Sequence, residues 1–283
     1  MNYYDFYLVN VFAESHFGGN PLAVFPDAEG LSDQQMQLIA RQFNLSETVF
    51  ILPPKQPQTV KKYRIFTPDY EMPFAGHPTI GASFILHSHY SAEKRYTIET
   101  QAGLVDISHR GTGVEFALKN GVKTQPSHLS VAETAEFLGL TPQEVKNEPV
   151  WVNTGTWQLL AELTHSQAVH NAVPNSASFL AKTKSDFAPS QCYLWHRENE
   201  QVTSRMFFVQ SGAILEDPGT GSAAANLAGL QILRKKTPLE WVIHQGDKMQ
   251  RPNRLTIRVD HENTIFVGGN VIEVGKGCFA LPN

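Results

Sequence analysis

Glu71-Met72-Pro73-Phe74-Ala75-Gly76-His77 in the first half of the chain and Glu216-Asp217-Pro218-Gly219-Thr220-Gly221-Ser222 in the second are the stretches on which the fold turns. Glu, Pro and Gly recur at offsets 0, 2 and 5, and a helix is expected to open at the next position in both. An Arg-x-Phe strand segment leads into each, Arg64-Ile65-Phe66 and Arg205-Met206-Phe207. The Arg-to-Glu gap is seven residues in the first and eleven in the second. A weaker echo links Gly19-Asn20-Pro21-Leu22-Ala23-Val24 with Gly155-Thr156-Trp157-Gln158-Leu159-Leu160. A repeat this long is not a solenoid unit. It predicts two homologous domains facing each other across a cleft. The boundary is expected between Asn120 and Ser130, dividing the chain into 1–124 and 125–283, with the terminal strands as candidates to cross back to the first domain.

Working outward, β-branched and aromatic runs bounded by Gly, Pro, Asn or Asp predict strands at 3–12, 22–25, 48–52, 62–67, 95–100, 104–108 and 113–119. Val114, Phe116 and Leu118 alternate with Glu115, Ala117 and Lys119, the period of a half-buried strand. A helix is expected over Asp33–Phe43, capped by Ser32 with Gln35 completing a capping box. A second is expected over Pro78–His89. Ser130 with Glu133 and Thr141 with Glu144 are further capping-box openings. Strands at 150–153, 158–163, 191–196 and 203–209, a helix at 222–234 and strands at 255–260, 264–267 and 271–274 complete the expectation.

Composition bounds the function. In 283 residues, 41% are hydrophobic and 18% charged, as in a globular protein. The formal net charge of -4 and the lack of a long basic run argue against a nucleic-acid partner. No stretch approaches the roughly 20 apolar residues of a membrane span, and the opening Met1-Asn2-Tyr3-Tyr4-Asp5-Phe6 lacks the basic and apolar regions of a signal peptide. Cys192 and Cys278 supply neither a disulfide framework nor zinc spacing. A cytoplasmic protein is expected. His87 and His89 lie i, i+2 near a helix end, where their rings diverge and no ligand set forms, so no metal is expected.

Both echoed segments are strand, turn, helix. A helix N-terminus presents free N–H groups and partial positive charge, which suits a carboxylate. Gly76 and Gly221 allow backbone amides to approach a ligand. His77, Asp217 and Ser222 stand at these turns. Each has a functional reading, as proton shuttle, orienting group and donor to an anionic oxygen. Each also has a bland one: structural hydrogen-bonder, turn brace and N-cap. Glu47 lies in Asn44-Leu45-Ser46-Glu47-Thr48-Val49-Phe50, where a helix gives way to a strand. There a carboxylate can point into a cleft and move a proton, or simply face water. Neither a P-loop nor a G-x-G-x-x-G in a βαβ unit occurs, so no nucleotide cofactor is implied.

The segments Phe17–Val24, Asn44–Phe50, Arg64–Pro68, Phe74–Gly81 and Glu216–Ala223, with Gln245-Gly246 and Arg251-Pro252, resemble the PhzF-like family of phenazine-biosynthesis isomerases. The resemblance implies the α+β diaminopimelate-epimerase-like fold. That fold has two pseudo-symmetric domains, each a mixed β-sheet wrapped around a central helix, here expected to begin near Pro78 and Ala223. It also implies cofactor-independent movement of a proton within a small cyclic or unsaturated carboxylic acid. Carried over by motif, Glu47 is the glutamate that moves the proton, His77, Asp217 and Ser222 support it, and Gly76 and Gly221 hold substrate. A homodimer is the family expectation. Epimerases of the same fold use a cysteine in each loop. Here Ala75 and Asp217 stand instead, which argues against a two-thiol mechanism. Gly219 departs from the family's usual Ala or Val. The competing class is a small-acid-binding protein on the same fold without catalysis, separable by proton exchange.

Overall fold

The computed structural model describes residues 1–119, 121–210 and 212–282; Asn120, the start of the expected boundary segment, lies outside them. The chain forms two compact units, 1–118 with 267–283, and 119–266.

The first unit opens with β1 (Asn2–Val11), β2 (Asn20–Phe25), α1 (Asp33–Phe43), β3 (Thr48–Leu52), β4 (Lys62–Phe66) and β5 (Glu71–Met72). It continues with α2 (Gly76–Tyr90), β6 (Arg95–Thr100), β7 (Gly103–Arg110) and β8 (Gly113–Leu118). β1 and β2 pair antiparallel, β2 and β3 parallel, and β3 and β4 antiparallel. β4 carries β5 as a short hairpin and touches β6 in parallel; β6, β7 and β8 form a meander. α1 starts with the expected capping box at Ser32 and Gln35 and stops at Asn44, whose left-handed conformation directs its N–H to Ala40 O. Its buried face, Met36, Ile39 and Ala40, packs with Phe25, Phe50 and Phe66 outside the sheet. α2 is buried along its length, from Gly76 through Ser83 and at Ile85 and Leu86. A helix buried on all faces is a core element and shows no amphipathic stripe.

The second unit contains β9 (Lys123–Pro126), α3 (Val131–Leu138), β10 (Val150–Asn153), β11 (Trp157–Glu162), α4 (Ser166–Asn171) and α5 (Ser176–Lys182). β12 (Gln191–Glu198), β13 (Gln201–Gln210), β14 (Ala213–Asp217), α6 (Gly221–Leu233), β15 (Leu239–Gln245) and β16 (Asn253–Val259) follow. The division falls between Leu118 and Lys119, and β9, which a boundary at 124/125 would cut, pairs along its length with β10. β10 and β11 pair antiparallel, β11 and β12 parallel, and β12 and β13 antiparallel. β13 carries β14 as a hairpin and β15 in parallel, and β15 pairs antiparallel with β16. Strand for strand this repeats the order of β1 to β7, with α6 in the place of α2 and equally buried. α4 and α5 occupy the crossover that α1 makes in the first unit. Phe137, Phe179, Leu159, Leu194 and Phe207 pack beneath them with Cys192, whose thiol is pushed up by burial.

The expected pair of terminal strands is one long strand, β17 (Ile265–Leu281). From Val267 it belongs to the first unit, antiparallel to β1 from Val11↔Val271 to Asn2↔Leu281, with a bulge at Leu8/Val9. It also pairs with β8, so the strand order β1, β2, β3, β4, β6, β7, β8, β17 closes on itself. Gly268 permits the β8 contact: a Cβ there would lie 2.8 Å from Val114 O. Among the described residues no helix is long and apolar enough to cross a membrane.

Candidate active site

The central helices begin at Gly76 and Gly221, one to two residues before the expected starts. Neither has a side-chain cap: Ala75 and Thr220 occupy the N-cap positions without capping bonds. Ser222 is therefore not a cap but the second residue of its helix. The contrast with α1 and α3, both closed by capping boxes, is chemical. Uncapped first turns keep their donors and positive end for other partners.

In the first unit, His77 follows Gly76 at the start of α2 and is 4% exposed. Its Nδ1 lies 2.8 Å from Glu47 Oε2. Glu47 occupies the corner between the Asn44 cap and β3, and its side chain is 18% exposed. The carboxylate thus faces the helix start and not bulk water. The other ring nitrogen, His77 Nε2, is buried without a hydrogen-bond partner. An unsatisfied buried nitrogen beside a carboxylate is a feature of sites that take a ligand. Tyr70, on the turn between β4 and β5, was not anticipated. Partial desolvation of a ring that is still 58% exposed, and after it the negative charges of Glu47 and Asp69, raise its phenol above the ordinary value.

In the second unit, Asp217 ends β14 and accepts a 2.5 Å hydrogen bond from Thr220 Oγ1. Gln245, fully buried, donates to Thr220 Oγ1 at 2.9 Å and to the Asp217 carbonyl at 2.8 Å, and accepts from the Thr220 N–H at 3.2 Å. Donation into the Thr220 oxygen leaves the Thr220 proton for the Asp217 carboxylate. Gly246 keeps this arrangement together, because at φ +78° a Cβ would run into Arg251 O and lie 2.6 Å from Pro218 O. Ser222 Oγ accepts from Gln158 Nε2 at 2.9 Å.

Behind both loops sits the same brace. Arg64 donates to both carboxylate oxygens of Glu71 at 2.7 and 2.6 Å, and Arg205 to both of Glu216 at 3.0 and 2.8 Å. These are bidentate pairs. The repeat in the sequence is a repeat in hydrogen bonding. The strand registers also align the position before β3 with its equivalent in β12. Phe66 pairs with Thr48, Phe207 with Cys192, so Glu47 corresponds to Gln191. Gln191 is 9% exposed and donates to Trp157 O at 2.9 Å.

Residues 9–277 match the family model described as Phenazine biosynthesis-like protein. The chain belongs to the PhzC-PhzF family. An uncharacterized isomerase of Pasteurella multocida is 51% identical, the match covering 99% of this chain and 95% of that one. Trans-2,3-dihydro-3-hydroxyanthranilate isomerase of Pseudomonas chlororaphis is 32% identical over 98% of this chain and 100% of its own. The PhzF-family phenazine biosynthesis protein of Bacillus anthracis superposes with a TM-score of 0.86 at 23% identity, covering 99% of this chain and 100% of that one. A hydroxyproline epimerase of Agrobacterium vitis shares the fold at a TM-score of 0.68 and 11% identity, with 99% and 93% covered. The fold is thus the diaminopimelate-epimerase-like one, in a family with relatives named as isomerases.

The thiols of the epimerase branch have no counterpart: Cys192 is in the core of the second unit, and Cys278 is exposed on β17. His87 and His89 part as expected. The first meets Ala92 O at 2.6 Å and stacks on His109, and the second meets Glu273 at 2.6 Å.

Proposed function

We propose that the PhzC-PhzF chain is a cofactor-independent isomerase of small cyclic or unsaturated carboxylic acids, with Glu47 as its acid–base residue. The observation that carries this is the 2.8 Å bond between Glu47 and a buried His77 whose other nitrogen has no partner. In the reaction, the Glu47 carboxylate takes a proton from a substrate carbon. The electron pair left behind moves into a new double bond, and the same carboxyl returns the proton to a different carbon. Composition is unchanged, so no oxidant or reductant is consumed.

His77 orients the carboxylate and holds part of its charge through the transfer. Asp217, oriented by Thr220 and Gln245, is the second unit's group for holding a polar part of a substrate. In each unit the uncapped helix start is a seat for an acid group, at Gly76 in the first and at Gly221 with the Ser222 hydroxyl in the second. The trans-2,3-dihydro-3-hydroxyanthranilate isomerases among the relatives make that acid the first candidate substrate. A cytoplasmic homodimer is the setting we propose.

The test is proton exchange. Candidate acids are incubated with the protein in deuterated water and followed by mass spectrometry, wild type beside Glu47→Gln. Deuterium uptake with the wild type alone supports the reading. Tight binding of acids with no exchange across a broad panel would leave only a binding protein.

A further inference from the structure

Hydrogen-bond direction at Ser222 can be read from backbone groups alone. The Thr154 backbone N–H can only donate, and it lies 2.8 Å from one terminal atom of the Asn226 side chain, which must be Oδ1. The Thr156 carbonyl can only accept, and it lies 3.0 Å from the other terminal atom, which must be Nδ2. That Nδ2 also lies 2.8 Å from Gln158, so the Gln158 atom facing it is the accepting Oε1. The remaining Gln158 atom is Nε2, 2.9 Å from Ser222 Oγ, and it donates. Thr154, Gln158 and Asn226 are 5%, 3% and 0% exposed, so water does not compete for these bonds. A serine oxygen engaged as acceptor sends its own proton elsewhere.

The first unit shows that the fold does not require this chain. Gly81 stands five residues after Gly76, as Asn226 stands five after Gly221. Leu22 stands three after Gly19, as Gln158 stands three after Gly155. In the first unit these positions make an apolar contact, where a Cβ on Gly81 would run into Leu22 and lie 2.9 Å from Val11 Cγ2. Where the first unit has a glycine and a leucine, the second has two amides whose last bond ends on Ser222.

We infer that Asn226 and Gln158 are positioning residues that make Ser222 an obligatory donor, selecting for an anionic or carbonyl oxygen at that point of the substrate. The polarity stands on the structure alone; that its recipient is a substrate acid rests on the proposed function.

Neutron diffraction from crystals of the whole chain exchanged into D2O tests the polarity without any ligand. The expected map has two deuterons on the Gln158 atom facing Ser222, and the Ser222 deuteron turned away from Gln158. A Ser222 deuteron on the line to Gln158 overturns the inference. The functional arm is a mutant cycle built on Glu47→Gln protein, which does not consume the ligand, and read by calorimetry with trans-2,3-dihydro-3-hydroxyanthranilate. Asn226→Asp cannot donate to Gln158, so the amide turns and Ser222 spends its proton on it. Affinity is expected to fall roughly tenfold, Ser222→Ala to cost about the same, and the double variant no more than either. Additive losses would show a merely structural role and overturn the inference. If Asn226→Asp does not fold, Gln158→Met serves in the same cycle, with the same expected absence of effect in the Ser222→Ala background. No binding to the Glu47→Gln reference protein would count against the substrate class proposed above, and the neutron map would still decide the polarity.

Discussion

The two central-helix loops share a scaffold and differ in the side chains set on it. Each has a bidentate arginine–glutamate brace, a short hairpin and an uncapped helix start. In the first unit the helix opens with His77 bonded to the Glu47 carboxylate. In the second the matching residues are Ser222 and Gln191, bonded to an amide and to a backbone carbonyl, and the carboxylate there, Asp217, accepts from the Thr220 hydroxyl. An amide holds its proton at any physiological pH, whereas a carboxylate–imidazole pair can exchange one. The difference teaches that a duplicated scaffold can keep its backbone and its braces while the side chains set on its two copies diverge.

The largest effect should come from erasing that difference in the first unit. Glu47→Gln makes the corner resemble its counterpart, and exchange of the substrate proton is expected to fall by about 10³-fold or more with circular dichroism and melting temperature unchanged. An active Glu47→Gln protein would break the comparison outright.

The braces come next. Arg205 and Glu216 are 11% and 13% exposed, and the Arg205 Nη1 group also donates to Ala172 O at 2.7 Å and to Val169 O and His170 O at 3.3 Å, closing the end of α4. Arg64 and Glu71 are 16% and 23% exposed, and the further partner of Arg64 is Asp33, 84% exposed at the start of α1. Arg205→Met leaves a more deeply buried carboxylate and loses three carbonyl contacts, so it should cost about 3 kcal/mol, against about 1–2 kcal/mol for Arg64→Met. Urea midpoints read the pair, and equal losses would mean that the braces are energetically interchangeable.

These braces also show what could be read before any coordinates. Arg64 and Glu71, and Arg205 and Glu216, were visible as an echo because both partners lie in one hairpin. The α1 start was visible because Ser32 and Gln35 mark it locally, and its extent because Met36, Ile39, Ala40 and Phe43 keep the helical period. Glu47 and His77 stood in motifs specific enough to recognise. The Asn226 chain was hidden: an asparagine inside an Ala-rich helix has no local signature, and its partners Thr154 and Gln158 lie far away in sequence. β5 and β14 are hairpin arms too short or too mixed to show a period. β15 was missed altogether. β17 was read as two strands because Gly268-Gly269-Asn270 looks like a turn, when Gly268 is there for close contact with β8.

A smaller effect tests the comparison from the other side. Gln191→Glu restores a carboxylate at the position equivalent to Glu47. It should create no second exchange activity, since the helix there opens with Ser222 and not histidine. It should cost roughly 2 kcal/mol, because Trp157 O loses its donor and faces a carboxylate oxygen. Exchange by a Glu47→Gln, Gln191→Glu double variant would show that the scaffold alone suffices.

The smallest expected effect concerns acid. Each unit has a histidine on its sheet whose neutral form is favoured: His109 is pushed down to about 4 by burial and then by His87, and His244 is lowered by burial and then by Arg254. An unfolded histidine titrates near 6.5. Below that value the unfolded chain binds protons that the folded chain refuses. The stabilisation is therefore complete above about pH 6.5 and is lost as the pH falls toward the folded-state value. His109→Gln removes the larger share of this loss, about 1 kcal/mol once solvent screening of a half-exposed ring is allowed for, and His244→Gln a smaller one. Melting temperatures taken between pH 7 and 4 should fall less steeply for His109→Gln than for wild type, with His244→Gln between them. A His244→Gln protein that resists acid better than His109→Gln would reverse the order and place the acid-sensitive unit on the other side of the repeat.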